Sequence, residues 1–159
     1  SKAYSPRPFL NQPANHPFYT EHGVIELPYK RQESTYARFA GPMDMKFRIR
    51  MNETHEVEKV GVLDRLVASL ATNFAPGVDV EKIRTGKRKV SDMAGQEIII
   101  RGTEEGQSEL FFAWDYHGKE ESGEHPEIKI GFEGDDGNLV EKTLLWDAAL
   151  DSFRPAYKR

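Results

Sequence analysis

Residues 45–51, "MKFRIRM", alternate without a break, with Met45, Phe47, Ile49 and Met51 on one side and Lys46, Arg48 and Arg50 on the other. Successive side chains of a strand point to opposite faces, so this period of two predicts a half-buried strand. A weaker strand, "STYARFAG", precedes it from Ser34 and turns at Gly41-Pro42, which predicts a hairpin. The period then changes. In "GVLDRLVASLATNFAPG", Leu63, Leu66, Val67, Leu70 and Phe74 recur at helical spacing, predicting an amphipathic helix over 62–74 stopped by Pro76-Gly77. Residues 80–90, "VEKIRTGKRKV", read as an exposed strand, and "DMAG" reads as a turn ending at Gly95.

The next run, "QEIIIRG", places Ile98, Ile99 and Ile100 in succession. Three consecutive large apolar residues fill both faces of a strand, which is tolerated only where both faces are covered. "SELFFAWDY", from Ser108, puts Leu110, Phe112, Trp114 and Tyr116 on one face and Phe111 and Ala113 on the other. "PEIKIGFEG", from Pro126, turns Ile128, Ile130 and Phe132 inward and leaves Glu127, Lys129 and Glu133 outward. A hairpin turn at Gly106 and a longer acidic loop, "HGKEESGEH", join these strands. The chain closes on a helix over 140–153, with Leu144, Leu145, Ala148 and Phe153 available for burial and Pro155 as its stop. Trp114 and Trp146 read as core or half-buried anchors. The predicted order is β-β-α-β-β-β-β-α. This is an α+β fold, a largely antiparallel sheet of about six strands covered by helices in an α/β/α sandwich-like arrangement.

The first 20 residues have neither period. They hold Pro6, Pro8, Pro13 and Pro17 with Tyr4, Phe9, Phe18 and Tyr19 between them, and proline removes backbone donors and fixes φ. Residues 1–21 are therefore expected to be an extended arm or interdomain linker, lying on this domain or on an upstream neighbour, and residues 22–159 a single domain. A chain of 159 residues suits one core.

Charge narrows the functional classes. The net charge of -4, from 22 basic and 26 acidic residues, supplies no overall basic field to attract a polyanion. Its distribution is uneven: 14 basic against 10 acidic residues from Lys30 to Arg101, and 3 against 13 from Glu104 to Asp147. Such polarity can steer a protein partner, or it can be a solvated face that maintains solubility. The basic knot at 86–102, "GKRKVSDMAGQEIIIRG", is not a phosphate loop: it lacks the upstream glycine, follows Gly86-Lys87 with Arg88, and leads into a strand. Residues 80–102 also contain no aromatic on which a base could stack, so nucleic acid is not an expected partner. Lysines there suit a solvated strand edge.

No chemistry is singled out. His16, His22, His55, His117 and His125 show no helical ligand spacing; His117, Glu120, Glu121, Glu124 and His125 share one loop but lack a rigid ligand pattern. "GDDGN", at 134–138, lacks the alternating oxygen ligands of a calcium loop. There is no cysteine and no Gly-x-Ser-x-Gly, so no nucleophile stands out, and no carboxylate pair is distinguished among the 26 acids. No enzyme, metal or cofactor is expected. No run approaches the roughly 18 apolar residues of a membrane-spanning helix. "SKAYSPRPFL" lacks the apolar core of a signal peptide, and a start at Ser1 rather than Met reads as an excised domain.

"GKRKVSDMAGQEIIIRG" followed by an aromatic strand, and the ending "LWDAALDSFRP", resemble the C-terminal domain of immunity proteins that protect bacteria against phospholipase effectors of the type VI secretion system. The matching positions are Gly86, Arg88, Ala94-Gly95, Glu97, Arg101-Gly102, Trp146-Asp147 and Leu150-Asp151-Ser152-Phe153. The likeness spans roughly residues 22–154. It implies a periplasmic, non-enzymatic inhibitor that binds a cognate lipase-type toxin, and a missing N-terminal domain with an export signal. The element order also resembles the PsbP or Mog1 fold, which keeps open an accessory domain with a different protein partner. Charge and exposure, rather than the family, suggest Glu120, Glu121, Glu124, Asp135 and Asp136 as contacts to that partner.

Overall fold

The computed structural model describes residues 4–5, 18–20, 23–25, 34–54, 78–122 and 125–154. Nine strands, one α-helix and a single 3-10 turn (Pro42–Asp44) lie among them: β1 (Tyr4–Ser5), β2 (Phe18–Thr20), β3 (Gly23–Ile25), β4 (Ser34–Ala40), β5 (Lys46–Asn52), β6 (Asp79–Val90), β7 (Met93–Glu104), β8 (Gln107–Tyr116), β9 (Glu127–Asp135) and α1 (Leu139–Ser152). The first three pair as a small antiparallel sheet in the order β1-β3-β2, so strands interrupt the proline-rich arm and its end pairs across residues 21–22. The other six form one antiparallel sheet in the order β4-β5-β9-β8-β7-β6. The helix expected over 62–74 lies outside the described residues.

Short turns explain most of the pairing. Glu105 and Gly106, both at positive φ, close the β7–β8 hairpin in two residues, a backbone twist that matches the flanking strands. The β6–β7 turn is also tighter than expected: it occupies Ser91 and Asp92, and Met93, Ala94 and Gly95 already belong to β7. Gly95 is thus no turn residue. It sits beneath Trp114, where a Cβ would come within 2.4 Å of the indole ring and 2.6 Å of the Asp115 carbonyl oxygen. The glycine permits a close approach, and Trp114 settles over it with its Nε1 donating to the Arg88 carbonyl at 3.0 Å.

α1 covers one face of the sheet. Cross-strand register brings Phe47, Phe132 and Phe112 side by side, and Trp146 packs edge-on to Phe132 at 5.0 Å and tilted to Phe112 at 5.8 Å. The buried helix stripe is Lys142, Trp146 and Leu150, flanked by half-buried Leu145, Ala149 and Phe153. The expected burial of Leu144 and Ala148 is therefore incorrect: Leu144 is 64% exposed and Ala148 is exposed. From Trp146 the stripe steps by four residues in each direction, and Leu144, two residues away, lands on the opposite side of the helix.

Behind β7 and β8, away from α1, Ile98, Ile100, Phe111 and Ala113 are also buried. The isoleucine run thus fills two covered faces, as its sequence requires. Among the described residues, a helix covers only the first of them.

Candidate partner-binding surfaces

The basic knot that opens "GKRKVSDMAGQEIIIRG" divides by strand parity. Arg84 and Arg88, four apart on β6, point toward α1, whereas Lys87 and Lys89 fall on the other side. The two arginines converge on Glu97 of β7 and Asp147 of α1. Arg84 Nε donates to Glu97 Oε1 at 2.9 Å, and Arg84 donates to both Asp147 oxygens, at 2.6 and 3.2 Å. Arg88 donates to Glu97 Oε2 at 3.3 Å, to Asp147 Oδ1, and to Asp151 Oδ1 at 3.1 Å. Trp146 Nε1 completes the set with a 2.9 Å bond to Glu97 Oε1. Glu97 is buried, with a guanidinium on each oxygen and an indole N–H as a third donor.

The solvated edge expected here is therefore only half of β6; its other half is an ion-pair lattice that clamps α1 to the sheet. The hydrogen bond from Arg84, reinforced by Arg88, holds the Asp147 carboxyl below the usual carboxylate range. A depressed folded pKa contributes stability that is complete above the unfolded value of about 3.9 and is lost as pH falls through the lower folded value. Thermal melts over this acid range should show Asp147→Asn losing part of the wild-type pH dependence below about pH 4; parallel curves would remove Asp147 from acid unfolding.

The acidic candidates lie in two places. Asp135 and Asp136 end β9 and open the turn into α1, and both are engaged. Lys142, with no exposed side-chain surface, donates its Nζ to the Asp135 carboxylate and, at 2.7 Å, to the Asp135 carbonyl oxygen; Gly137 N–H adds a 3.0 Å bond to the same carboxylate. The Lys142 hydrogen bond lowers the Asp135 pKa. Arg101 Nε donates to Asp136 Oδ1 at 2.6 Å and its Nη1 to Glu81. Glu120 and Glu121 are exposed at the other end of β9, between β8 and β9, where a 2.8 Å bond from Glu121 N–H to the Thr54 carbonyl ties the chain to residue 54. At about 3.3 Å per residue, the length of β9 separates the two groups by roughly 30 Å. Glu124 lies outside the described residues. Among the described residues, no three His, Asp or Glu side chains come together as a metal site, and no helix is long and apolar enough to cross a membrane.

A third surface has no counterpart in the expectations. A groove of about 440 Å³ opens between edge strand β4 and the C-terminal end of α1, lined chiefly by Phe39, Met45, Phe47, Phe132, Leu145 and Phe153. Phe39 is 52% exposed on its rim and stacks at a tilt on Phe47 at 5.7 Å. On the reverse of β4 and β5, Arg38 and Arg50 are exposed beside Tyr36. Among the described residues, no carboxylate pairs with either arginine. Only a comparison of alternating faces on an edge strand could have signalled this site, and in "STYARFA" Tyr36 and Ala40 fall on the face opposite Ala37 and Phe39, so no clean alternation stands out.

No curated protein matches the chain. Solved structures do. The apo immunity protein TplEi of the type VI secretion system (T6SS) of Pseudomonas aeruginosa is 24% identical with a TM-score of 0.70, over 95% of this chain and 53% of that one. The same protein complexed with an "L" peptide gives 24% identity and a TM-score of 0.68, over 95% and 58%. The Tle4-Tli4 complex gives 24% identity and 0.67, over 95% and 55%. This chain spans little more than half the length of these relatives. The Arg88–Glu97–Trp146–Asp147 lattice gives a structural reason for the motif that carried the resemblance, and a family match extends over residues 13–156: the chain belongs to the family described as the Tle cognate immunity protein 4 C-terminal domain.

Proposed function

We propose that this domain is the inhibitory module, or part of it, of an immunity protein that binds a lipase-type type VI effector and blocks it by occupancy, acting in the periplasm without chemistry of its own. The observation that carries this reading is the family match over residues 13–156. Two structural relatives support it: one was solved as a Tle4-Tli4 complex and the other with a peptide bound. The arginines and carboxylates that cluster in the sheet are consumed by the clamp on α1 and the cap on Lys142, which suits a rigid binding scaffold.

The direct test measures phospholipase activity of the cognate effector with and without this domain at equal concentration. Inhibition is expected, and activity untouched alongside an absence of binding would refute the reading. For the acidic surface, reversing Glu120 and Glu121 to lysine should slow association at low salt by about tenfold, because loop charges steer encounter. An unchanged rate would take the β8–β9 loop out of the interface. The Asp135 and Asp136 carboxylates are engaged by Lys142 and Arg101, so reversing them would perturb the turn into α1 together with any interface.

A further inference from the structure

The two edges of the main sheet are built differently. At β6, pairing with β7 shifts register between Lys82 and Arg84, and Lys82, Lys87 and Lys89 line the strand. A bulge and lysines are the devices by which natural sheets keep other strands away from an edge. β4 has neither. It pairs with β5 in unbroken register from Ser34 to Ala40, contains no lysine or proline, and among the described residues pairs with no other strand. Tyr36 and Phe39 are 57% and 52% exposed on it. We propose that β4 is a docking edge that takes an extended peptide segment of a protein partner as a seventh strand, the segment alternating apolar residues with acidic ones.

The two faces of the edge define that chemistry. A strand added beside β4 sends every second side chain toward the α1 face, where the groove of Phe39, Phe47 and Phe153 is apolar and open. The intervening side chains fall on the reverse face, beside Arg38 of β4 and, one strand further in across Tyr36, Arg50 of β5. Apolar residues suit the first set and carboxylates the second. The same charges disfavour a second copy of this chain: two β4 strands pairing edge to edge would gather their arginines on one face, and facing like charges are destabilising. Identifying the segment as part of an effector rests on the proposed immunity function; the peptide chemistry rests on this chain alone.

The probe is an acetylated, amidated nonapeptide alternating leucine with glutamate, titrated into the full chain and followed by amide shifts and fluorescence anisotropy. Saturable binding with shifts centred on Ser34–Ala40 and the groove is expected. A peptide of the same composition with its leucines and glutamates in separate blocks, and one N-methylated at alternate backbone positions, should each bind at least tenfold more weakly. Arg38→Glu/Arg50→Glu should also lose at least tenfold, on exposed positions whose replacement leaves the melting curve in place. No binding, shifts centred elsewhere, indifference to N-methylation, or a dimer in sedimentation held through β4 would each overturn the proposal. In the effector assay the double variant should inhibit at least tenfold less well. Full inhibition by a variant that no longer binds the peptide would overturn the effector assignment, whereas peptide binding without any inhibition by wild type would count against the immunity reading and leave the edge standing.

Discussion

Trp146→Ala should lower the unfolding free energy by about 4 kcal/mol, the range measured when a buried tryptophan or phenylalanine is truncated. The indole has no exposed surface, lies between Phe132 and Phe112, and belongs to the only α-helix among the described residues. Two losses combine. The ring leaves a cavity that the close-packed side chains around it cannot readily close, and Glu97 loses one of its buried donors. Domains of this size shift by about 2–4 °C per kcal/mol, so the melting temperature should fall by roughly 8–16 °C. Trp146→Phe separates the terms. It keeps most of the packing but drops the N–H, and should cost about 1–3 kcal/mol. If denaturant unfolding placed the alanine variant within 1 kcal/mol of wild type, α1 would not be the element that closes this face.

What could be read in the sequence was whatever depends on neighbours along the chain. The period-two runs located β5, β8 and β9, the isoleucine triplet marked a strand buried on both faces, and Gly106 marked a hairpin turn. What could not be read depends on neighbours in space. Gly95 looks like turn punctuation until Trp114 is placed above it, and nothing local brings β9 between β5 and β8. Leucine's apolarity points Leu144 inward, but helix phase is set by Trp146, and the residue one turn before it is a lysine. A lysine in step with Trp146 and Leu150 was the available signal: a buried ammonium needs a carboxylate, and Asp135 is the acid at the end of β9. The same logic would have withdrawn Asp135 from the free surface charges. Arg84 and Arg88 were legible as a pair on one face of β6, whereas their convergence with Asp147 requires the helix to have docked.

That convergence explains why a lattice of charges can serve as an assembly device. Glu97 comes from the most buried strand, its arginines from the edge strand, and Asp147 from the helix, so the group is complete only when all three elements are in place. Burying a carboxylate is costly unless each oxygen is paired, and here each oxygen has a guanidinium. The arrangement penalises a misplaced helix more than it stabilises a correct one. A binding scaffold gains from this, because the groove beside β4 is shaped partly by Leu145, Ala149 and Phe153 of the same helix end.

Glu97→Ala tests the lattice directly and should cost about 3–5 kcal/mol, the usual consequence of removing one partner from a buried ion pair. The loss comes from what remains: two guanidiniums pressed beneath α1 with only Asp147 and Asp151 to answer them, and a Trp146 N–H without an acceptor. Glu97→Gln has nearly the same shape and can still accept from Trp146, but it presents an amide N–H₂ where Glu97 Oε2 accepted from Arg88. It should fall between wild type and alanine, at about 2 kcal/mol. Pairing Glu97→Ala with Arg88→Met, which keeps an apolar stem and removes the stranded charge, should recover part of the loss, with a coupling of at least 1 kcal/mol between residues in contact. Equilibrium unfolding of the four proteins in that cycle gives the number. Strict additivity would show that Glu97 stabilises the domain through Trp146 and Arg84 alone and that Arg88 is held by Asp147 and Asp151.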